Sequence, residues 1–236
     1  MLRPLGKGAL DKLPDVIAVL NSNSTEHIQI VCLNNEDLKV LKKNKRLEIK
    51  SIKEFNYFIY DLDTMNDLRG VKWKNVRQKI STFRKNHPKL KIEHLSKNNY
   101  EDVIHFIGAW RRTLLSKRGL SYSNLEKNKF AAKYYSDKND FKNIWSTVYR
   151  LSKRVVAFQL LYRLGPNSAA HAIGLADTSI PGLSETTQIN IWEQLQDQRI
   201  RYINDGPSWR VGLDRYKRKF NPISAQKVFE CKLKSK

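Results

Sequence analysis

Cysteine is scarce in this sequence, and long apolar runs are absent from it. The two cysteines, Cys32 and Cys231, lie in separate apolar segments without the spacing of metal ligands, so we expect buried thiols in a reducing compartment and no metal site. No apolar run approaches the ~18 residues of a membrane-spanning helix, and the N-terminus lacks the apolar core of a signal peptide. These absences predict a soluble, cytoplasmic protein.

Two kinds of catalytic pattern are also missing. There is no Gly-x-Ser-x-Gly elbow, and the five histidines have no ligand spacing, which disfavours hydrolases and metalloenzymes. Asp61-x-Asp63-x-Thr64 does follow an apolar strand, as in haloacid-dehalogenase-type phosphatases. That chemistry needs a later lysine and a further acidic pair for magnesium, a pattern that the downstream acids do not form: Asp177, Asp205 and Asp214. We therefore interpret Asp63 or Thr64 as a helix cap.

Acidic residues are outnumbered by basic ones. The 236 residues include 44 Lys+Arg against 23 Asp+Glu, a formal net charge of +21, with 40% hydrophobic residues. This length and composition predict a globular chain of one large domain or two small ones. The positive field attracts nucleic acid or an anionic membrane, and the alternative is that the charge reflects a generally basic proteome or a ribosome-rich cytosol.

The charge is concentrated between Arg69 and Lys91, a segment with nine basic residues and no acid. Apolar residues recur there at helical spacing: Val76, Ile80 and Phe83. This pattern predicts an amphipathic helix with Lys72, Lys79 and Lys85 projecting outward. A phosphate backbone or anionic lipid head groups would suit such a face, and the predicted contacts are Lys72, Lys74, Arg77 and Lys79. The alternative is a solvated basic face.

The chain is organised around a hairpin followed by a helix. Two apolar runs, Val155–Tyr162 and Ala169–Ala176, flank a Gly-Pro-Asn-Ser turn, which is typical of an antiparallel hairpin. A polar loop, Asp177–Ser184, then opens an amphipathic helix over Glu185–Arg199. The free N–H groups at such a junction can hold an anionic or carbonyl-bearing ligand, so Gly182 and Ser184 are predicted contacts. Alternatively, Ser184 and Thr186 only cap the helix.

The predicted order of elements indicates a fold. From Leu90 onward it is β-α-α-β-β-β-α-β-α-β, which resembles the mixed α+β Gcn5-related acyltransferase fold. That fold implies a sheet that splays between its fourth and fifth strands, where the acyl donor enters. Residues 1–89 contain only helix, strand, helix, strand and the basic connecting helix over 69–87. We expect a partial N-terminal unit of the same kind, followed by a complete domain over 90–236.

Several motifs carry a closer resemblance. They are EFNYFIYDLDTMNDLRGVKWKNVRQKISTF, FIGAW at Phe106–Trp110, VAFQL and LDRYKRKFNP. Together they are similar to the C-terminal domain of phosphatidylglycerol lysyltransferases, which is related to the Fem-type aminoacyl transferases, over about Pro4 to Pro222. The resemblance implies aminoacyl-tRNA as donor, and Arg77, Asn204 and Lys217 match motif positions. The resemblance begins at the third helix of the family's first acyltransferase domain, so we expect this sequence to lack the first half of that domain's sheet and the membrane-spanning flippase region.

The residues can also be interpreted without the family. Acetyl-CoA enzymes of this fold hold the pyrophosphate with an Arg or Gln before the helix, but Ser179 stands there, so coenzyme A is expected to bind poorly and no cofactor is predicted. The cationic run of Arg215, Lys217 and Lys219 could neutralise acceptor-stem phosphates and polarise an ester carbonyl. Lys217 is expected to be an exposed lysine. Asn204 could hydrogen-bond the aminoacyl group or form a turn.

Three functions remain open. The first is an aminoacyl-tRNA-dependent transferase acting on a lipid, peptide or small-molecule acceptor, with Lys217 and Asn204 catalytic. The second is an acetyl-CoA-dependent N-acetyltransferase. The third is a non-catalytic protein on an acyltransferase scaffold that binds nucleic acid or an anionic membrane. The partners expected for the first function are tRNA and an anionic membrane surface, to which the protein would bind peripherally, and the oligomeric state is open.

Overall fold

The computed structural model describes residues 10, 12–21, 28–118, 125–136 and 143–235. The chain forms two compact units. The first comprises residues 1–59, 207–218 and 222–236, and the second comprises residues 60–206 and 219–221. The boundary expected at 89/90 thus falls inside the second unit.

The described residues of the first unit form three helices and three antiparallel strands. They are α1 (Leu13–Asn21), β1 (Ile28–Leu33), α2 (Asn35–Lys43), β2 (Leu47–Asp61, whose last two residues belong to the second unit), α7 (Val211–Arg218) and β8 (Ser224–Ser235). β8 lies between β1 and β2 and pairs with both. The N-terminal segment therefore shares its sheet with a strand that comes from the C-terminal part of the chain.

The first unit is held by a core between this sheet and its helices. Leu13 and Ile17 of α1 pack against residues of β1 and β8. At the start of α2, the Asn34 side chain accepts the Asp37 N–H at 2.8 Å and Asp37 accepts the Asn34 N–H at 2.9 Å. This capping box fixes the direction of α2. Cys231 is buried in the same core as expected, and burial raises the pKa of its thiol to about 11; the Cys32 side chain lies outside the described part.

The second unit carries the larger sheet. Its elements are α3 (Lys74–Asn86), β3 (Lys91–His94), α4 (Tyr100–Arg118), α5 (Leu125–Ser136), β4 (Ile144–Leu151), β5 (Arg154–Gly165), β6 (Ser168–Ala176), α6 (Leu183–Asp197) and β7 (Tyr202–Pro207). The strands lie in the order β7-β6-β5-β4-β3. All neighbours are antiparallel except β6 and β7. This arrangement confirms the predicted mixed α+β architecture and nearly every predicted element of the unit.

Helices cover both faces of this sheet. On one face, Val103, Phe106 and Ile107 of α4 and Ala132 of α5 pack on the strands. On the other face, Phe83 of α3 and Leu183 of α6 pack on β4, β5 and β6. The long buried runs of β4 and β5 follow from this double cover.

Asp61, at the end of β2, does the capping that was expected of Asp63 or Thr64. Its carboxylate accepts the Asp63 N–H at 3.1 Å at the start of a 3₁₀ segment over Leu62–Leu68. The same carboxylate receives the Arg201 guanidinium at 2.8 Å, and this hydrogen bond holds the pKa of Asp61 below its ordinary value. Asp61 therefore has a structural role, in agreement with setting the phosphatase motif aside.

Candidate functional site

β6 and β7 pair over a very short distance. Ser168, Ala169 and Ala170 of β6 lie beside Tyr202, Ile203 and Asn204 of β7. No further pair joins the two strands, although both are fully described, so a fork opens after Ala170 and Asn204. This fork confirms the splay that the element order predicted on either side of α6.

His171 is the first residue of β6 inside the fork, and a β-bulge sets its direction. Leu160 of β5 pairs with Ile173, but Leu161 pairs with His171, so Ala172 is an extra residue on β6. Ile173 lies in the apolar core under α4. Regular alternation would turn His171 to that same face, and the extra residue turns it to the opposite one.

The imidazole of His171 is held at both ring nitrogens. Nδ1 lies 2.7 Å from Asp205 Oδ1, and the two side chains are only 5% and 8% exposed. Nε2 lies 2.5 Å from Gln159 Oε1 and 3.1 Å from the Ile173 carbonyl oxygen. Asp205 directly follows the last paired residue of β7. The pair was not predicted from the sequence, because nothing in the sequence marks two residues far apart in the chain as neighbours.

Gln159 links the histidine to the helix behind the fork. Its amide nitrogen donates to Thr187 Oγ1 at 3.2 Å, and the Thr187 hydroxyl donates to the Ser184 carbonyl at 3.2 Å. An ideal Cβ on Gly174 would lie 2.8 Å from His171 Nε2. The His171 imidazole therefore occupies the space that a side chain at position 174 would need, and glycine leaves this space open.

The N-terminus of α6 is covered by α3. Gly182 is the N-cap with φ of 79° and no side-chain cap, and an ideal Cβ on it would lie 2.5 Å from the Lys79 carbonyl oxygen. The capping alternative for Ser184 and Thr186 is therefore wrong. Thr186 instead donates its hydroxyl to the Gly182 carbonyl at 2.8 Å.

A buried carboxylate lies in the first turn of α6. Glu185 is 6% exposed and accepts from Lys79 Nζ at 2.9 Å and Lys219 Nζ at 3.2 Å. Burial tends to raise the pKa of Glu185, but the hydrogen bond from Lys79, its own backbone N–H and the charge of Lys219 outweigh burial and lower it. The Lys79 side chain is 41% exposed, in agreement with the predicted outward projection, but the helical pattern did not reveal the acid with which its ammonium pairs.

The other predicted contacts on the basic segment are Arg77, which bonds to the backbone, and Lys72 and Lys74, which are exposed. Arg77 donates to the carbonyl oxygens of Leu68 and Gly70, the latter at 2.9 Å. The exposed basic residues of α3 and the turn before it are Lys72, Lys74, Arg84 and Lys85. These four form what we call the basic face. Trp73 at the start of this segment is buried, so it anchors the helix.

The remaining predicted site residues lie near the C-terminus or at the end of β7. Lys217 is only 5% exposed, so the expectation of an exposed lysine is wrong, whereas Arg215 is exposed. Asn204 Oδ1 accepts the Gly206 N–H at 2.9 Å, which is the turn geometry that was one of the two alternatives. Lys219 is engaged with Glu185 as described above.

Within the described ranges, no cluster of histidine, cysteine or acidic side chains could hold a metal ion. None of the helices in this part of the chain has both the length and the apolar character needed to span a membrane.

Comparisons with known proteins identify the relatives of this chain. The family described as "Phosphatidylglycerol lysyltransferase, C-terminal" matches residues 1–232. A comparison with curated proteins gives no match.

Solved structures share the fold at low identity. A conserved protein of unknown function from Bacteroides thetaiotaomicron is 17% identical with a TM-score of 0.67, over 98% of this chain and 78% of that chain. L-PGS from Bacillus licheniformis is 15% identical with a TM-score of 0.59, over 94% and 74%. FemX is 11% identical with a TM-score of 0.57, over 97% and 79%.

Proposed function

Because the chain belongs to the family of phosphatidylglycerol lysyltransferase C-terminal domains, we propose that it is an aminoacyltransferase. It takes an amino acid from charged tRNA and transfers it to an acceptor that is a lipid, a peptide or a small molecule. The scaffold is of the acyltransferase kind. The donor, the acceptor and the residue roles below are the proposed part.

The choice of aminoacyl-tRNA as donor is based on the N-terminus of α6, which α3 covers. A coenzyme A pyrophosphate would need free N–H groups and a cation at such a helix end. Here the Lys79 carbonyl lies against Gly182, and Glu185 puts a carboxylate between the two nearest lysines. A pyrophosphate would meet a backbone oxygen and a negative charge there. This supports aminoacyl-tRNA over acetyl-CoA.

The protein does not have to activate the donor, because an aminoacyl ester is already reactive. The acceptor hydroxyl or amine attacks the ester carbonyl, the bond to the terminal ribose oxygen breaks, and the acceptor proton passes to that oxygen. Rate then depends on placing the two substrates and on stabilising the carbonyl oxygen. We assign placement to the fork between β6 and β7 and stabilisation to Lys217, with Asn204 orienting the aminoacyl group. Arg215 would contact donor phosphates.

The basic face supports tRNA as the partner. Four exposed cations without an interleaved acid suit a phosphate backbone. The same face would also let the protein rest on an anionic membrane when the acceptor is a lipid. We therefore propose a cytoplasmic enzyme that acts peripherally at the membrane.

The test uses two labelled donors with the same protein. Total tRNA charged with labelled amino acids and labelled acetyl-CoA are each incubated with phosphatidylglycerol vesicles and with a small-molecule and peptide extract. The expected result is loss of label from tRNA into one of these acceptors, with no acetyl transfer and no heat of coenzyme A binding. Acetylation together with micromolar coenzyme A binding would favour the acetyltransferase. Tight RNA binding without transfer from either donor would favour a non-catalytic protein.

A further inference from the structure

His171 and Asp205 face each other at the vertex of the fork, where backbone pairing between β6 and β7 has just ended. The last pair is Ala170 with Asn204, and the next residue on each strand supplies one partner of the 2.7 Å contact. A side-chain contact thus replaces the next backbone pair and sets how far apart the strands are where they begin to separate.

Hydrogen-bonding partners on both sides of the His171 imidazole restrict the orientation of the ring. Nε2 faces two oxygen atoms, Gln159 Oε1 and the Ile173 carbonyl oxygen, which is the arrangement that a hydrogen on Nε2 satisfies. Gln159 then donates through its amide nitrogen to Thr187, whose hydroxyl donates to the Ser184 carbonyl. On the other side of the ring, Nδ1 lies 2.7 Å from the Asp205 carboxylate and 3.5 Å from the amide nitrogen of Gln188.

The side chains of this hydrogen-bond network are buried, which restricts their movement. Gln159 is 3% and Thr187 0% exposed, and the two side chains of the pair are less than a tenth exposed. A buried polar network in which every member has a partner holds one geometry. The network joins the vertex to the first turn of α6, so β5, β6, β7 and α6 are all positioned by one set of contacts.

We propose that His171 and Asp205 are positioning residues for the transfer reaction. They fix the width of the fork at its vertex, and so the angle at which the aminoacyl ester meets the acceptor. This inference rests on the proposed function. A misplacement of about 1 Å can cost about 10²-fold in rate, so a change in this pair should lower kcat while the KM for the donor stays nearly unchanged.

Two substitutions of His171 separate its two contacts. Asparagine places its amide nitrogen near the position of Nδ1 and can keep the bond to Asp205, whereas glutamine reaches the position of Nε2 and keeps the bond to Gln159. If the contact across the fork matters, His171→Asn retains more kcat than His171→Gln. A role limited to filling space would predict no such order.

Two further variants and a control complete the design. Asp205→Asn removes the charge from the vertex. Gly174→Ala keeps every polar group but forces the imidazole to move, because the new Cβ would lie 2.8 Å from Nε2. The control, Asp102→Asn, removes an equal charge in the same unit from an ion pair with Arg150 at 2.7 Å, on α4 and away from the fork.

The experiment measures single-turnover and steady-state transfer from charged total tRNA, beside thermal melts of every variant. We expect Asp205→Asn, His171→Gln and Gly174→Ala to lower kcat by about 10- to 100-fold. The KM for the donor should stay within about threefold of the wild-type value. The kcat of the control variant should stay within about twofold of the wild-type value. Normal kcat in these three variants would overturn the positioning role while leaving the aminoacyl transfer of the wild type intact. A wild type that transfers nothing from charged tRNA would instead overturn the proposed function, and the inference with it.

Discussion

The carbonyl oxygen of Lys79 on α3 lies where a side chain at Gly182 on α6 would begin. An ideal Cβ on Gly182 would be 2.5 Å from that oxygen and 3.0 Å from Phe83 Cβ. The basic segment is therefore not a loosely attached arm, because its backbone packs directly on the N-terminus of the helix behind the fork. Glu185 reinforces the contact by pairing with Lys79 one turn further along.

Gly182→Ala should be strongly destabilising. The residue has φ of 79°, a region that costs an L-residue about 1–2 kcal/mol, and the overlap with backbone atoms adds about 1–3 kcal/mol of overpacking. We expect the free energy of unfolding in urea to fall by about 2–5 kcal/mol. Gly212→Ala is the control, since nothing lies within 4 Å of its Cβ position and alanine favours a helix. An equal loss in both variants would contradict the close packing of α3 on α6.

Glu185→Gln should change how stability depends on pH. The pKa of Glu185 is lowered in the folded protein, so the folded state favours the ionised form. Its contribution is present above the unfolded pKa and is lost as pH falls through the folded pKa. The variant should lose about 1–3 kcal/mol at pH 7, because two lysines then face each other without the carboxylate.

The same Glu185→Gln variant should lose less than wild type as pH falls from 6 to 3. Urea melts across this range give the comparison, with Glu101→Gln on exposed α4 surface as a matched control. A parallel pH profile for wild type and Glu185→Gln would show that the ion pairs do not stabilise the fold.

Much of the fold was predictable from the sequence because the local signals agree with each other. The Gly-Pro-Asn-Ser turn between two apolar runs gave the β5–β6 hairpin, and the order of elements gave the fork between β6 and β7. The position of β8 was not predictable in the same way. Its pairing partners, β1 and β2, lie nearly at the other end of the chain, and no local pattern encodes a contact at that sequence separation.

The site was predicted less well, for reasons that particular residues make clear. Helical spacing placed Lys79 on an outer face, where its side chain is 41% exposed, but it did not reveal that the ammonium pairs with Glu185, an acid far away in sequence. The face on which His171 lies depends on a single extra residue, Ala172, which reverses the alternation of β6 and which no local pattern in the sequence marks. Lys217 was expected to be exposed because lysine usually is, and tertiary packing overrides that tendency.

The basic face should contribute most of the salt dependence of tRNA binding. Changing Lys72, Lys74 and Lys85 together to alanine should reduce the slope of log Kobs against log[salt] by about 2 to 2.7, since each lost phosphate contact removes about 0.7–0.9. These three are exposed and leave the Lys79–Glu185 pair untouched. Fluorescence anisotropy with labelled tRNA at several salt concentrations measures the slope.

The control for the basic face is an equal charge change elsewhere. Lys39, Lys43 and Lys45 are exposed residues in or just after α2 of the first unit. Their triple alanine variant should keep nearly the wild-type slope. Equal slopes for the two triple variants would mean that tRNA responds to net charge alone and that α3 has no special part in binding.

Lys217→Ala should lower the rate of aminoacyl transfer by about 10²–10³, the usual loss when one group that stabilises a developing oxyanion is removed. Because Lys217 is only 5% exposed, the same change also removes packing and should cost about 1–3 kcal/mol of stability. Lys217→Met keeps most of the apolar stem and removes only the ammonium. We therefore expect the methionine variant to melt closer to wild type while it transfers as slowly as the alanine variant.

Chemical rescue separates the charge of Lys217 from its packing still further. The alanine variant leaves room near the original Nζ for a small alkylammonium ion, which restores a positive charge without a covalent tether. If Lys217 polarises the ester carbonyl, methylammonium or ethylammonium should raise single-turnover transfer by Lys217→Ala at least several-fold and leave Lys217→Met unchanged, because the methionine stem fills the space. Potassium chloride at equal ionic strength is the control. Transfer at the wild-type rate by a well-folded Lys217→Met protein would remove this lysine from the chemistry and leave the exposed Arg215 as the cation to test next.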